Sequence, residues 1–272
     1  MKEIKFKLAM AGYTYNKFSI DKTLEELEKF DIHYLCVKNF HLPFDSTPAQ
    51  IAEFKKKCAD RGVTPYGAGP IGMDTPEAAK KYFDYAAAIG VKVLVGVPGE
   101  KKEIGGKMKT VSCRRMCEVC ADLAAEYKIR FAIHNHGHNP KTGNPDLYPS
   151  VPSTYEYIKD LNEYMGFCMD IAYTHADGFN VPEIVRTYSK RIFDGHLRNI
   201  DPGNNGSAGV SAPNGVIDYR PIFAALRDVG YDGCLGLELA NAFGFYQNRQ
   251  GDPLWIPESI GYFRAMIDSL KS

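Results

Sequence analysis

The feature that most constrains this chain is a regular alternation between short apolar runs and longer segments in which apolar residues recur every three or four positions. Short apolar runs are typical of buried strands, and the longer spacing is typical of amphipathic helices. The strand candidates are residues 6–10, 34–37, 64–67, 92–97, 130–134, 166–170, 192–196 and 234–238. The alternation therefore predicts a series of βα units.

Helix boundaries are also visible between these runs. Thr47 can cap a helix that begins at Pro48, and Gln50 has the position needed to complete a capping box. Gly62 and Gly90 each follow a helical pattern, where glycine commonly ends a helix. These signals place helices between successive strand candidates.

Eight βα units with a mean length of about 34 residues match a (β/α)8 TIM barrel. A doubly wound sheet would normally have fewer strands and a glycine-rich first turn, and no G-x-G-x-x-G sequence follows the first strand candidate. The length of 272 residues admits one domain or two, but barrels of about 250 residues fold as one unit. We therefore predict an α/β fold, a single-domain TIM barrel over residues 1–272.

Charge and composition exclude several classes of partner. The 33 Lys and Arg residues balance 33 Asp and Glu residues, so no overall positive field attracts nucleic acid or an anionic membrane. No apolar run approaches a membrane span, and the N-terminal residues lack the apolar segment of a signal peptide. The seven cysteines suit reduced packing residues better than disulfides. We expect a cytoplasmic protein with no nucleic-acid or membrane partner. Assembly into a homo-oligomer is compatible with these features.

Polar residues stand at the ends of four successive strand candidates, where a TIM barrel places its catalytic groups. His134, Asp170, His196 and Glu238 end the fifth to eighth candidates, which are neighbours in a closed barrel. One buried His or Asp is most often satisfied by the backbone, but four polar groups together would each have a desolvation cost of about 1–3 kcal/mol. Their convergence predicts one divalent ion, such as Mn²⁺, Mg²⁺, Co²⁺ or Zn²⁺.

A cysteine triplet competes for the role of metal site. Cys113, Cys117 and Cys120 have the C-x3-C-x2-C spacing of radical-SAM iron–sulfur enzymes. The same spacing corresponds to helical positions i, i+4 and i+7, which form one face of a helix. We favour packing on the inward face of the fourth helix.

Four segments of the chain carry a family resemblance: FAIHNHG at 131–137, GFCMDI at 166–171, RIFDGHLR at 191–198 and GLE at 236–238. They resemble the sugar phosphate isomerase/epimerase family, the xylose isomerase-like TIM barrels of the AP endonuclease family 2 superfamily. The resemblance covers essentially the whole chain. It implies a single divalent metal held by Glu, Asp, His and Glu, of which the last three map onto Asp170, His196 and Glu238.

This chain differs from that family at the position of the first metal ligand. The family pattern reads Glu-Asn-His where this sequence reads His134, Asn135 and His136. The resemblance implies two carboxylates on opposite faces of the substrate, which move a proton through a metal-stabilised enediolate. Because one carboxylate is replaced by an imidazole, Glu238 is the predicted base, and His136 or His138 is the predicted opposing acid.

The resemblance implies a sugar isomerase or epimerase whose small-molecule substrate is a keto/aldo carbohydrate. The change at His134 leaves open a lyase or hydratase that acts on a 3-keto-sugar or 3-keto-glycoside with the same metal. A non-catalytic sugar-binding barrel is a third hypothesis. An endonuclease IV-like DNA repair enzyme is a fourth, and the balanced charge argues against it.

Further polar residues are candidates for contacts with a carbohydrate. Lys38 and His41 follow the second strand candidate, and Arg198 follows the seventh, where it could instead pair with Asp201. His175 is expected near the ligands without binding the metal, or at the surface.

Loops on the same face are expected to shape the pocket. Residues 103–110 and 139–148 are interpreted as polar loops. The glycine-rich segment at 201–215 predicts a lid that becomes ordered over the substrate, with a rigid surface loop as the alternative.

Overall fold

The computed structural model describes residues 2–138, 146–201, 209–244 and 251–271. Its strands are Lys7–Ala11 (β1), Tyr34–Val37 (β2), Thr64–Met73 (β3), Val93–Ile104 (β4), Lys107–Ser112 (β5), Arg130–His134 (β6), Met165–Asp170 (β7), Ile192–Leu197 (β8), Asn199–Ile200 (β9), Gly209–Val210 (β10) and Cys234–Leu237 (β11). Its α-helices are Ile20–Lys29 (α1), Pro48–Asp60 (α2), Pro76–Ile89 (α3), Arg114–Tyr127 (α4), Val151–Ile158 (α5), Ile171–Ala176 (α6), Val181–Tyr188 (α7), Arg220–Val229 (α8) and Trp255–Ser269 (α9). Within these ranges, no helix is long and apolar enough to cross a membrane.

Parallel strands close into a barrel. The hydrogen-bonded order is β3, β2, β1, β11, β8, β7, β6 and β4, and the additional pairing of β3 with β4 completes the ring. Because every one of these eight strands has two neighbours, their backbone groups are paired without an open edge. The predicted single-domain (β/α)8 fold is confirmed, and the carboxyl ends of β6, β7, β8 and β11 lie side by side.

The predicted helix signals form the expected local contacts. Thr47 Oγ1 accepts a hydrogen bond from the Gln50 backbone N–H at 3.3 Å, and Gln50 Oε1 accepts one from the Thr47 N–H at 2.8 Å. Gly90 ends α3 with φ 81°, and Gly62 follows α2 with φ 63°. Both glycines adopt the left-handed conformation that a side chain disfavours, so each fixes where its helix ends.

The barrel interior is filled beneath its carboxyl-terminal mouth. Side chains two residues apart on a strand share a face, so Cys168 and Asp170 point inward from β7, and Asp194 points inward from β8. Tyr66 Oη donates to Asp194 Oδ1 at 3.0 Å, and the Cys168 thiol donates to Asp194 Oδ2 at 3.6 Å. Burial raises the pKa of Asp194. This polar floor separates the mouth from the apolar interior below.

A hairpin projects from the barrel where the sequence indicated a loop. β4 continues beyond the barrel and pairs antiparallel with β5 from Gly99 to Ser112. Gly105 and Gly106 form the turn with φ 61° and 71°, as expected for a two-residue hairpin connection. The interpretation of residues 103–110 as a loop is therefore wrong, because ladder hydrogen bonds organise this polar and exposed segment.

The cysteine triplet packs in the core. Cys113 precedes α4 as its N-cap residue, and Cys117 and Cys120 lie on the buried face of the helix. Cys117 Sγ is 3.3 Å from Tyr148 Oη, and Cys120 Sγ is 3.9 Å from Met73 Sδ. These contacts support packing rather than an iron–sulfur cluster.

Replacing Cys113, Cys117 and Cys120 together with Ala should lower the free energy of unfolding by about 1 kcal/mol for each fully buried thiol, because small cavities remain. Urea unfolding followed by circular dichroism measures this loss. Elemental analysis of the folded variant should show unchanged metal content. Iron present in the unmodified protein and absent from the variant would contradict the packing role.

Candidate metal centre

Four polar side chains converge at the barrel mouth. One ligand atom each from His134, Asp170, His196 and Glu238 can be chosen so that all four atoms lie within 4.8 Å of one another. His196 Nδ1 is 3.0 Å from His134 Nε2 and 3.2 Å from Glu238 Oε2. The strand register explains the convergence, since Asp170 on β7 pairs directly with His196 on β8. The sequence-predicted ligands are thus together in space.

The donor set fits a divalent cation. Two ligand atoms that each lie about 2.1 Å from one ion are about 3.0 Å apart in octahedral and about 3.4 Å apart in tetrahedral coordination. The distances of 3.0 and 3.2 Å from His196 Nδ1 to its two neighbours lie in this range. Two imidazoles and two carboxylates supply nitrogen and oxygen donors with two negative charges. His134, Asp170 and His196 are buried, so such charges require a nearby positive charge.

The electrostatics of the cluster favour a positive charge on His196. Burial lowers the pKa of His196, but the charge of the Glu238 carboxylate and its hydrogen bond to His196 act in the opposite direction. The net effect raises the pKa of His196 to about 9. Burial raises the pKa of Glu238, yet His196 holds it well below its usual value. Burial, followed by the charge on His196, holds the pKa of His134 well below its ordinary value. A proton on His196 therefore supplies the positive charge when no cation is bound.

Binding of a divalent ion at pH 7 should release about one proton, because a metal-bound imidazole must be neutral and the pKa of His196 is about 9. The apparent affinity should rise about tenfold per pH unit up to about pH 9 and then level off. Titration calorimetry in buffers with different ionisation enthalpies measures the released proton. A pH-independent affinity between about pH 7 and pH 9 would contradict this arrangement.

Hydrogen bonds orient Asp170. Its Oδ1 accepts from the Tyr173 backbone N–H at 2.9 Å, and its Oδ2 accepts from Arg198 Nε at 3.2 Å. Asn135 Oδ1 accepts from the Asp170 N–H at 2.9 Å. Sequence reasoning missed the role of Asn135, although its place beside a strand-terminal ligand candidate was a signal. Both carboxylate oxygens of Asp170 are thus fixed by donors.

Arg198 lies beside the cluster rather than at the solvent edge. Its guanidinium is buried, contacts Asp170 and stacks over the Tyr173 ring with 4.2 Å to the ring centroid. Burial is the largest single influence and lowers its pKa, but the charges of Asp170, Tyr173 and Glu238 and the hydrogen bond to Asp170 together outweigh burial, so the net direction is upward. Its direct contact with substrate stays a prediction.

His136 and His138 are half-exposed residues after β6. His136 Nδ1 is 2.7 Å from Asp146 Oδ2, and His138 Nδ1 is 3.1 Å from Asp177 Oδ2. Burial lowers the pKa of His136, but the Asp146 hydrogen bond and charge raise it, and the net shift is upward. The His136 ring lies 5.7 Å from the His134 ring, centroid to centroid. His136 therefore lies at the rim of the cluster, beside a carboxylate that favours its charged form.

Lys38 lies on the strand-two side of the mouth. Its Nζ donates to the Pro70 carbonyl at 3.3 Å and lies 4.9 Å from the Tyr13 ring centroid. Burial lowers the pKa of Lys38, and the charge of Glu238 partly opposes that shift. A cation in this position suits a substrate oxygen, and that role stays a prediction.

His41 is buried and engaged in packing. Its Nε2 lies 3.1 Å from Thr23 Oγ1 and 3.3 Å from the Tyr15 carbonyl. Burial lowers its pKa to about 4, so the ring is neutral near pH 7. Its Nδ1 is also buried and has no hydrogen-bond partner among the described residues, and the predicted substrate contact of His41 stays a prediction. His175 was expected either near the ligands or at the surface, and it is exposed on α6.

Of the predicted lid at 201–215, residues 202–208 lie outside the described residues, whereas Gly209–Val210 pairs with Asn199–Ile200 and Ala212–Asn214 forms a 3-10 turn. The description stops at Asp201 and resumes at Gly209. Residues 139–145 of the second expected loop also fall outside it. Both expectations stay predictions.

A family model for xylose isomerase-like TIM barrels matches residues 22–266 of the chain. The protein belongs to this family. The match confirms the resemblance carried by the strand-end segments. The His134, Asp170, His196 and Glu238 cluster lies at the carboxyl ends of the barrel strands, which is the end where TIM barrels hold their functional groups.

Two curated proteins with sequences similar to this chain are named for different activities. The inosose isomerase of Bacillus subtilis (strain 168) is 26% identical over 167 residues, which cover 59% of this chain and 58% of the relative. The mannonate dehydratase of Brachyspira hyodysenteriae (strain ATCC 49526 / WA1) is 24% identical over 229 residues, which cover 78% of this chain and 63% of the relative. The chain thus spans less than two thirds of the length of these relatives.

Solved structures show the same fold over nearly the whole length. The IOLI protein, crystallised with a zinc atom, has a TM-score of 0.73 and 18% identity, with 97% of this chain and 99% of that chain covered. A D-psicose 3-epimerase from Clostridium cellulolyticum H10, solved with D-tagatose, has a TM-score of 0.70 and 17% identity, with 96% and 98% covered. At these identities the likeness establishes the fold.

Proposed function

We propose that this protein is a divalent-metal-dependent isomerase or epimerase of a keto/aldo carbohydrate. The observation that carries the proposal is the convergence of two imidazoles and two carboxylates at the mouth of a xylose isomerase-like barrel. The similarities to an inosose isomerase and to a D-psicose 3-epimerase support a small carbohydrate with a carbonyl group as the substrate.

His134, Asp170, His196 and Glu238 would hold one divalent ion, for which Mn²⁺, Mg²⁺, Co²⁺ and Zn²⁺ are the candidates. When bound, the ion supplies Lewis-acid polarisation of the substrate carbonyl. Arg198 keeps Asp170 oriented, and its charge adds to the positive potential of the mouth. Lys38 would contact a substrate oxygen from the opposite wall.

Glu238 is the carboxylate placed to remove a carbon-bound proton. Both oxygens of Asp170 accept hydrogen bonds, and Asp170 is fully buried. The side chain of Glu238 is 15% exposed, whereas that of His196 is 0% exposed. Glu238 can therefore reach a substrate from its solvent-facing side and accept the proton adjacent to the carbonyl.

His136 is the proposed opposing acid. The Asp146 contact raises its pKa, which favours the protonated ring that an acid requires. Its position at the rim, next to His134, suits proton delivery to a substrate above the cluster. His138, which pairs with Asp177, is the second candidate for this role.

Replacing Glu238 with Gln should reduce proton exchange at the substrate carbon by at least about 100-fold, because removal of a general base commonly has that effect. Deuterium incorporation from D2O is measured by mass spectrometry with D-psicose, D-tagatose, D-fructose and an inosose as probes. The exposed Glu163→Gln variant is the matched control. Undiminished exchange in Glu238→Gln, at equal metal content, would contradict the assignment.

Protein prepared without chelator should contain about one divalent ion per chain, because one four-ligand cluster is predicted. Asp170→Ala and His196→Ala should each abolish binding, as measured by elemental analysis after gel filtration. His175→Ala removes an exposed imidazole from α6 and should leave the metal content unchanged. Full occupancy in either ligand variant would remove the proposed centre.

A lyase or hydratase that acts on a 3-keto-sugar or 3-keto-glycoside is the second candidate. The imidazole at His134 leaves the cluster with a single mobile carboxylate, and the similarity to a mannonate dehydratase adds weight to an elimination. Incubation with a 3-keto-glucoside separates the two functions. Release of the aglycone supports the lyase, and epimer formation with deuterium incorporation supports the isomerase or epimerase.

A further inference from the structure

We infer that His134 makes this metal centre selective for Zn²⁺ over Mn²⁺ and Mg²⁺. The inference rests on the proposed metal centre and does not depend on which carbohydrate reaction occurs there. It concerns one side chain and the ion that the resulting donor set prefers.

The first support is the chemistry of the donors. Carboxylate, carbonyl and water ligands suit Mg²⁺ and Mn²⁺, whereas imidazole suits Zn²⁺. Two of the four donor groups are imidazoles, and His134 Nε2 lies 3.0 Å from His196 Nδ1. A carboxylate at residue 134 would instead give three oxygen donors and one nitrogen. His134 is therefore the position that moves the donor set toward Zn²⁺.

The second support is the number of donors and the enclosure of the cluster. With both imidazoles neutral, Asp170 and Glu238 carry two negative charges, and Arg198 already pairs with Asp170. The net charge therefore favours any divalent ion, and the choice among such ions depends on the type and number of the donors. Zn²⁺ is commonly satisfied by four ligands, whereas Mg²⁺ prefers six and retains several waters. The Asp170 and His196 side chains are 0% exposed, and Glu238 provides the more open side. Water has restricted access to an ion held by these residues.

A neighbouring thiol has to be separated from the effect of His134. The atoms of Cys168, His134 and His196 also lie within 4.8 Å of one another. The Cys168 thiol donates to Asp194 Oδ2 at 3.6 Å, which directs it toward the polar floor of the barrel. We therefore assign the selectivity to the second imidazole, and Cys168→Ser is the matched control because a hydroxyl keeps a donor at this position.

The test compares Zn²⁺ and Mn²⁺ dissociation constants, measured by competition with chelators, for the unmodified protein, His134→Glu and Cys168→Ser. Most sites bind Zn²⁺ more tightly than Mn²⁺, so the change in the ratio of the two constants is the relevant quantity. His134→Glu should reduce the preference for Zn²⁺ at least about tenfold. Cys168→Ser should change it less than about threefold. An unchanged or larger preference in His134→Glu, or an equal loss in Cys168→Ser, would overturn the inference.

X-ray absorption of the zinc-loaded unmodified protein provides a measurement that needs no variant to fold. Two imidazoles in the first coordination shell and no sulfur are expected. One imidazole, or a sulfur ligand, would overturn the inference. Failure of the unmodified protein to bind any divalent ion would reject the proposed centre itself, whereas tight binding with an unchanged ratio in His134→Glu rejects only the selectivity.

Discussion

The contact between His196 and Glu238 determines the electrostatics of the whole barrel mouth. A fully buried imidazole retains a charge only if an acceptor lies beside it, and Glu238 Oε2 lies 3.2 Å from Nδ1. His134 approaches the same nitrogen at 3.0 Å, so it cannot be charged at the same time. One positive charge is therefore required at this point, and a proton and a divalent cation compete for it. The closure of β6, β7, β8 and β11 into adjacent strands creates that requirement.

Much of the barrel could be predicted because its strands are short apolar runs with polar ends. The candidates at 34–37 and 130–134 coincide with β2 and β6. β3 and β4 continue to Met73 and Ile104, beyond the predicted ends at 67 and 97. The extra residues of β3 include Gly69, Pro70 and Gly72, which have low strand propensity. Gly69 and Pro70 lie at a register shift, and pairing with β4 resumes from Ile71 to Met73. Such extensions depend on a partner strand, which a local pattern does not show.

The candidate metal ligands were accessible from the sequence, but the contacts that orient them were not. Each ligand ends a strand, so the barrel topology alone brings the four together. The partners of Asp170 depend instead on register and side-chain direction: Asn135 lies 35 residues away in sequence, and Arg198 lies 28 residues away. Arg198 contacts Asp170, a partner that local spacing did not suggest. Asp194 could have been anticipated, because it lies two residues before His196 and therefore shares its face of β8.

With an imidazole at residue 134, the two proposed proton-transfer groups differ in kind: Glu238 is a carboxylate and His136 is an imidazole. Their surroundings favour opposite charges on the two groups. Without a bound ion, His196 holds Glu238 anionic. In the proposed metal-loaded centre the divalent ion would take over that role, so Glu238 would begin a cycle as a carboxylate. The Asp146 carboxylate favours the charged form of His136, whose side chain is 54% exposed, so this ring can exchange protons with water. Under the proposed roles, Glu238 acts as the base and His136 as an acid that exchanges with solvent, and this difference gives proton transfer a direction. That direction suits removal of a proton next to a carbonyl, followed by protonation of a neighbouring carbon or oxygen. Which of these atoms receives the proton depends on where the carbohydrate lies relative to His136, and this position separates isomerisation from elimination at the same barrel mouth.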